Sequence, residues 1–152
     1  MYDILDFNSE INSKNFGFEK FYFFDSIKAK LIKVPNLVDS AKFKNKKVLV
    51  ILDDYAFDEG AIKLIAEKKQ ACFLINLGRL INASGVSRAI LFSKIKTFLR
   101  FCNRYGAFYT FATFSNSELK IRSHDEIIHI VLLLGINKGQ AKFALKMVKN
   151  YL

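Results

Sequence analysis

Few side chains in this sequence are spaced for catalysis. His124 and His129 lie five apart. On a helix that spacing turns them to different sides, whereas an H-E-x-x-H metal site needs four. They read as a cap-side histidine and a half-buried one. Asp53 and Asp54 follow the apolar run Val48–Leu52. Adjacent acids at the end of a parallel strand could bind a cation, but turn chemistry leading into the next helix is their commoner use. Asp3 and Asp6 fall on a first strand, three apart, and so on opposite faces. The chain contains no G-x-x-x-x-G-K-[ST], no G-x-G-x-x-G and no G-x-S-x-G.

The basic residues are more informative. The chain carries 24 Lys and Arg against 14 Asp and Glu, a net charge of +10. Residues 1–67 hold 10 bases and 11 acids, whereas residues 68–152 hold 14 bases and 3 acids. No acid occurs from Lys68 to Ser117, and all five arginines lie in this second part. AT-rich coding accounts for many lysines, but less well for clustered arginines. A basic half on a near-neutral half points to a polyanion, with nucleic acid first.

A long helix over Ser87–Tyr105, closed by Gly106, carries much of that charge. Leu91, Ile95, Phe98, Leu99 and Cys102 share one side and form its core stripe. Lys96, Arg100 and Arg104 lie roughly opposite, with no acid within four residues. That absence leaves them without an intrahelical ion pair and suits a phosphate-facing ridge. Arg88 falls near the apolar side and must reach past the helix start or serve a structural pair. Lys120 and Arg122 precede Ser123-His124-Asp125-Glu126, a capping box. Basic side chains beside a helix N-terminus can form an anion site. The lysines of the last helix (Lys138, Lys142, Lys146, Lys149) read mainly as solubilising.

These residues need a scaffold. At 152 residues and 51% hydrophobic, the chain suits one domain spanning 1–152 with its own core. A complete eight-fold β/α barrel needs about 250 residues, so any barrel here is abbreviated. Cys72 and Cys102 sit in apolar runs, as buried reduced thiols of an intracellular, cytoplasmic protein would. No signal peptide or membrane span is expected. Strands are expected near Tyr2–Phe7, Lys20–Phe24, Lys30–Val34, Val48–Leu52, Ala71–Ile75 and Phe108–Ala112. Asp58 caps a helix to about Lys69, with Ala61, Ile62, Leu64 and Ile65 inward. Asn76–Val86 reads as a loop, and Asn137-Lys138-Gly139-Gln140 starts a last helix. The alternation implies a parallel sheet, doubly wound or a partial barrel.

Several of these segments, in order, resemble the ribonuclease P protein component 3 family, the archaeal counterpart of the eukaryotic thirty-kilodalton subunit. They are Phe73-Leu-Ile-Asn-Leu-Gly-Arg-Leu-Ile, Ala83-Ser-Gly-Val-Ser-Arg-Ala, the basic helix ending Arg104-Tyr105-Gly106, Tyr109-Thr-Phe-Ala-Thr, and Ile121-Arg-Ser-His-Asp. Phe57-Asp58 through Ala61-Ile-Lys-Leu adds an upstream match. Arg88 matches the Arg of the family's E-R-A, and Arg122 that of R-S-P. Ser87 stands for the usual Glu and His124 for the usual Pro. Arg79 falls one position after the family's usual Arg.

The resemblance covers residues 48–152, leaving 1–47 as a reduced N-terminal part. It implies an abbreviated TIM-barrel-like (PHP-like) parallel β/α fold, short of a complete eight-stranded barrel. It also implies a non-catalytic subunit of the endonuclease that removes the 5′ leader from precursor tRNA. The chemistry would belong to the catalytic RNA with Mg²⁺, and no cofactor would bind this chain. The implied partners are that RNA, precursor tRNA and a second small protein subunit. The expected RNA-binding residues are Lys96, Arg100, Arg104, Lys120 and Arg122, with Arg88 added by the resemblance alone. The first strand has Asp3-Ile-Leu-Asp6 where PHP phosphoesterases carry D-x-H-x-H. A small metal-dependent phosphoesterase using Asp3, Asp53, Asp54 or Asp58, and a protein-interaction domain rich in Phe, are the competing classes.

Overall fold

The computed structural model describes residues 1–8 and 10–152. The protein is a mixed α/β fold built on parallel strands. In chain order these are β1 (Tyr2–Leu5), β2 (Lys20–Phe23), β3 (Leu31–Val34), β4 (Leu49–Leu52), β5 (Cys72–Asn76) and β6 (Tyr109–Ala112). The helices are α1 (Phe24–Ile27), α2 (Leu37–Ser40), α3 (Glu59–Lys68), α4 (Leu77–Asn82), α5 (Gly85–Tyr105), α6 (His124–Leu133) and α7 (Lys138–Met147).

β3, β4, β5 and β6 form one parallel sheet in sequence order, and β1 pairs with β2. The two sheets meet just beyond β6. Phe114 N–H donates to Ile4 O at 2.9 Å, and Asp6 N–H donates to Ser115 O at 2.8 Å. The spatial order is therefore β2-β1-β6-β5-β4-β3, with the first and last sequence neighbourhoods joined at β1 and β6. Among the described residues no ladder links β2 to β3.

Strand alternation sorts the core into two parts. Val50, Leu52, Phe73, Ile75, Tyr109 and Phe111 pack with Ile62 and Ile65 of α3, Phe98 and Leu99 of α5, and Ile127 and Val131 of α6. Tyr2, Ile4, Leu49, Ile51, Cys72, Leu74 and Ala112 fill the other face, where Met147, Val148 and Tyr151 join them. β4 and β5 are covered on both faces, which is why these two strands read as continuous hydrophobic runs. Asp6, Phe24, Lys33, Ile51, Asn76 and Phe114, from the C-terminal ends of all six strands or just past them, line one cavity of about 130 Å³.

Three expectations are corrected. Residues 77–82 of the expected loop form α4, capped by the Asn76 side chain accepting from Arg79 N–H. Six residues are too few to show a period, and burial of Leu77 and Leu80 stabilises the helix instead. Leu64 points out, because Ile62, Ile65 and Ala61 already occupy the inward arc. Of the two histidines, the cap-side His124 is also the half-buried one, against Gly17 and edge-on to Phe18, while His129 is exposed.

The seam between β1 and β6 holds a buried acid. Asp3 Oδ1 accepts from Ile4 N–H and Thr113 N–H, both at 2.8 Å. Thr113 Oγ1 lies 2.7 Å from Asp3 Oδ2 and 2.9 Å from Ser115 Oγ. Ser115 Oγ donates to Lys120 O at 3.0 Å. With Asp3 ionised, both hydroxyl protons are used elsewhere and the Thr113–Ser115 contact has none. A protonated Asp3 completes the chain: carboxyl to Thr113, Thr113 to Ser115, Ser115 to Lys120 O. Burial agrees, raising the carboxyl from 3.8 to about 6 against the lowering by its Thr113 and Ile4 bonds.

The folded value lies above the unfolded one, so Asp3 favours folding at low pH and loses that contribution as pH rises through 6. Between pH 5 and 7.5 the loss is about 1–2 kcal/mol, or roughly 2–8 °C in Tm. Asp3→Asn keeps the amide acceptor and supplies a permanent donor to Thr113. Thermal melts should show this decline in the wild type and its absence in the variant. Parallel pH profiles would contradict the assignment.

Candidate nucleic-acid interface

α5 organises the basic residues. Ile95, Phe98, Leu99 and Cys102 are buried. Phe98 meets Phe73 and Tyr55 edge-on, at ring separations of 5.0 and 5.3 Å. That packing fixes the rotation of the helix and turns Lys96, Arg100 and Arg104 to solvent. Among the described residues no carboxylate lies within ion-pair distance of these three. Lys94, by contrast, is paired with Asp54 at 2.7 Å, and this lowers the Asp54 carboxyl.

Lys96 and Arg100 share a cleft of about 290 Å³ with Ser93, Thr97, Asn103 and Gly135. The turn after α6 makes this cleft possible. Gly135 sits at φ 91°, and a side chain there would stand 3.4 Å from Lys96 Cε. Arg104 lies farther along the ridge, its guanidinium 5.6 Å from the Tyr105 ring centre. Arg100 lies 5.3 Å from that of Phe101. Guanidinium stacking holds the side chains without consuming their hydrogen-bond donors.

Lys120 and Arg122 form a separate patch. Ile121 between them is buried, so its neighbours point outward. They line a narrow cleft with Gly78, Asn82, Thr113 and Asn116. The expected anion site at the start of α6 is filled from within. Glu126 accepts from Ser123 N–H at 2.7 Å and lies 3.5 Å from Arg122. The Ser123 bonds, backed by Arg122, lower the Glu126 carboxyl. Lys120 Nζ donates to Asn116 Oδ1 at 3.1 Å.

Arg88 takes the structural role that its helical position allowed. Its Nε donates to Ala83 O at 2.5 Å and its Nη2 to Ile81 O at 3.1 Å, tying the end of α4 to the start of α5. Arg79 does the same between α4 and β4, donating to Leu52 O and Asp53 O at 3.1 and 2.8 Å.

The acids do not converge. Asp3 is committed to Thr113, Asp54 to Lys94, and Asp58 caps α3 by accepting from Ala61 N–H. Among the described residues no three of His, Cys, Asp and Glu gather in a group that could hold a metal. Cys72 and Cys102 are buried free thiols, and burial pushes both far above the usual thiol range. No described helix is long and apolar enough to cross a membrane.

A third feature escaped the sequence reading. Phe57, Phe101 and Tyr105 form an aromatic flank beside the arginine ridge, with Phe57 and Phe101 ring centres 4.3 Å apart. The i, i+4 spacing of Phe101 and Tyr105, one residue after Arg100 and Arg104, was its only sequence signal. In comparisons with known proteins, no family model and no curated protein matches the chain.

Proposed function

We propose that this chain is a non-catalytic, RNA-binding protein subunit of a ribonuclease P ribonucleoprotein. In that role it supports RNA-catalysed removal of the 5′ leader from precursor tRNA, together with a second small protein. The observation that carries the RNA-binding part is the Lys96–Arg100–Arg104 ridge, exposed and, among the described residues, without carboxylate partners. Lys120 and Arg122 add a second basic patch, and Arg88 shapes the α4–α5 turn between them. Phosphates would be neutralised with little base readout, so affinity should fall steeply with salt. The ribonuclease P part rests on the resemblance of residues 48–152.

The fold belonging to this reading is a TIM-barrel-like, PHP-like β/α fold cut down to six strands. What supports it is the spatial order of the strands, the meeting of β1 with β6, and a cavity reached by all six strand ends. Mg²⁺ would serve the catalytic RNA rather than this chain.

The test is reconstitution of precursor-tRNA cleavage from catalytic RNA, partner protein and Mg²⁺, with and without this chain. Cleavage should rise on adding it, most at limiting Mg²⁺. An unchanged rate would refute the ribonuclease P assignment, and metal-dependent phosphodiester hydrolysis by the protein alone would favour the phosphoesterase class.

A further inference from the structure

We propose that Phe57, Phe101 and Tyr105 form a stacking platform for unpaired RNA bases, with Arg100 and Arg104 holding the adjoining phosphates. This rests on the RNA-binding reading and adds to it the kind of RNA bound. The three rings make a continuous row. Phe101 and Tyr105 are 6.2 Å apart and within 19° of parallel, while Phe57 tilts by 39° over Phe101. Phe57 closes the outer end and is 50% exposed. A phenylalanine left this open has apolar surface to gain by covering.

The surrounding charges select the occupant. Arg100 and Arg104 lean on the second and third rings. Lys63 approaches Tyr105 to 4.9 Å. The two acids that follow Phe57 in the chain are already engaged, Asp58 as the cap accepting from Ala61 N–H and Glu59 by Lys63 at 2.8 Å and the Tyr105 hydroxyl. An apolar protein surface would have to strip water from two arginines while offering them nothing. An unpaired nucleotide brings both complements at once, a flat π face for Phe57 and a phosphate for a guanidinium. A duplex hides its base faces and can offer only phosphates. The platform therefore favours single strands, loops or bulges, with little dependence on base identity.

The full chain allows a direct test, because it contains no tryptophan. In Phe57→Trp the new indole is the only one, and it preserves a stacking ring. Its emission should be quenched by a 12-nucleotide oligouridylate and left nearly unchanged by a blunt RNA duplex of equal length. In Phe57→Leu, apolar volume is retained without the ring. Its affinity for the single strand should fall roughly 5- to 150-fold, the range expected for losing a base–aromatic stack. Its duplex affinity should change less than twofold. Single-strand binding unchanged in Phe57→Leu, with no quenching in Phe57→Trp, would overturn the platform while RNA binding stands, and would return the patch to a protein contact. Failure of the wild type to bind either RNA would remove the RNA-binding reading, and the platform with it.

Discussion

Replacing Gly78 with alanine is expected to lower the melting temperature by roughly 6–12 °C, because a Cβ there has no room and no way to find it. An ideal Cβ would lie 2.1 Å from Thr113 O and 3.1 Å from Asn76 Oδ1. The first of these is backbone in the segment that continues β6 into the seam with β1. Relief requires α4 to lift from that segment, and the overpacking cost should reach about 3 kcal/mol. Gly60 is the matched control. It lies in the first turn of α3, where a new Cβ would meet only Asp58 Oδ1 at an ordinary 3.5 Å. Gly60→Ala should be neutral or stabilising by up to about 1 kcal/mol through helix propensity. Differential scanning calorimetry of the two variants checks both. Equal melting temperatures would mean that α4 does not pack as described. Gly78 also borders the cleft of Lys120 and Arg122, so strain there should disturb that basic patch as well as stability.

Removing the ridge should affect binding instead. Lys96, Arg100 and Arg104 are exposed and make no ion pair within 4.0 Å among the described residues. Changing all three to alanine should therefore move the melting temperature little. Each phosphate contact contributes close to one power of salt concentration to the binding constant. Three lost contacts should lower affinity for RNA on the order of 100-fold at 0.1 M salt. Titration of labelled catalytic RNA, with melting curves as the folding control, checks this. The comparison variant is Lys138→Ala with Lys142→Ala, exposed lysines at the start of the last helix. A similar loss there would mean that net charge, not the ridge, drives binding.

How much of this was legible in the sequence depended on how local each feature is. The two capping boxes at Ser123–Glu126 and Asn137–Gln140 are formed within four residues, and both occur as spaced. The buried stripe of α5 follows from one helical period over 21 residues. β4 and β5 showed as continuous apolar runs because both of their faces are covered. The seam was not legible, since Asp3 and Thr113 are 110 residues apart and neither is unusual alone. Nor was the platform, where Phe57 reaches α5 from before α3. Arg88 showed its odd helical position but not its partners, which are backbone carbonyls and leave no mark on side-chain pattern. At Arg122 the spacing to Glu126 was in plain view. The capping-box reading took that acid as spent on the backbone, and in fact it serves both.

In the proposed role, phosphate neutralisation along the α5 ridge holds this protein to RNA. Its most direct measurement is the dependence of RNA affinity on salt, for the wild type and for the Lys96, Arg100, Arg104 triple-alanine variant. With the ridge and the Lys120–Arg122 patch engaged, the wild-type log–log slope should lie near −3 to −5, and the triple variant should be shallower by about 2–3. A wild-type affinity indifferent to salt, or the same slope in both proteins, would contradict the account.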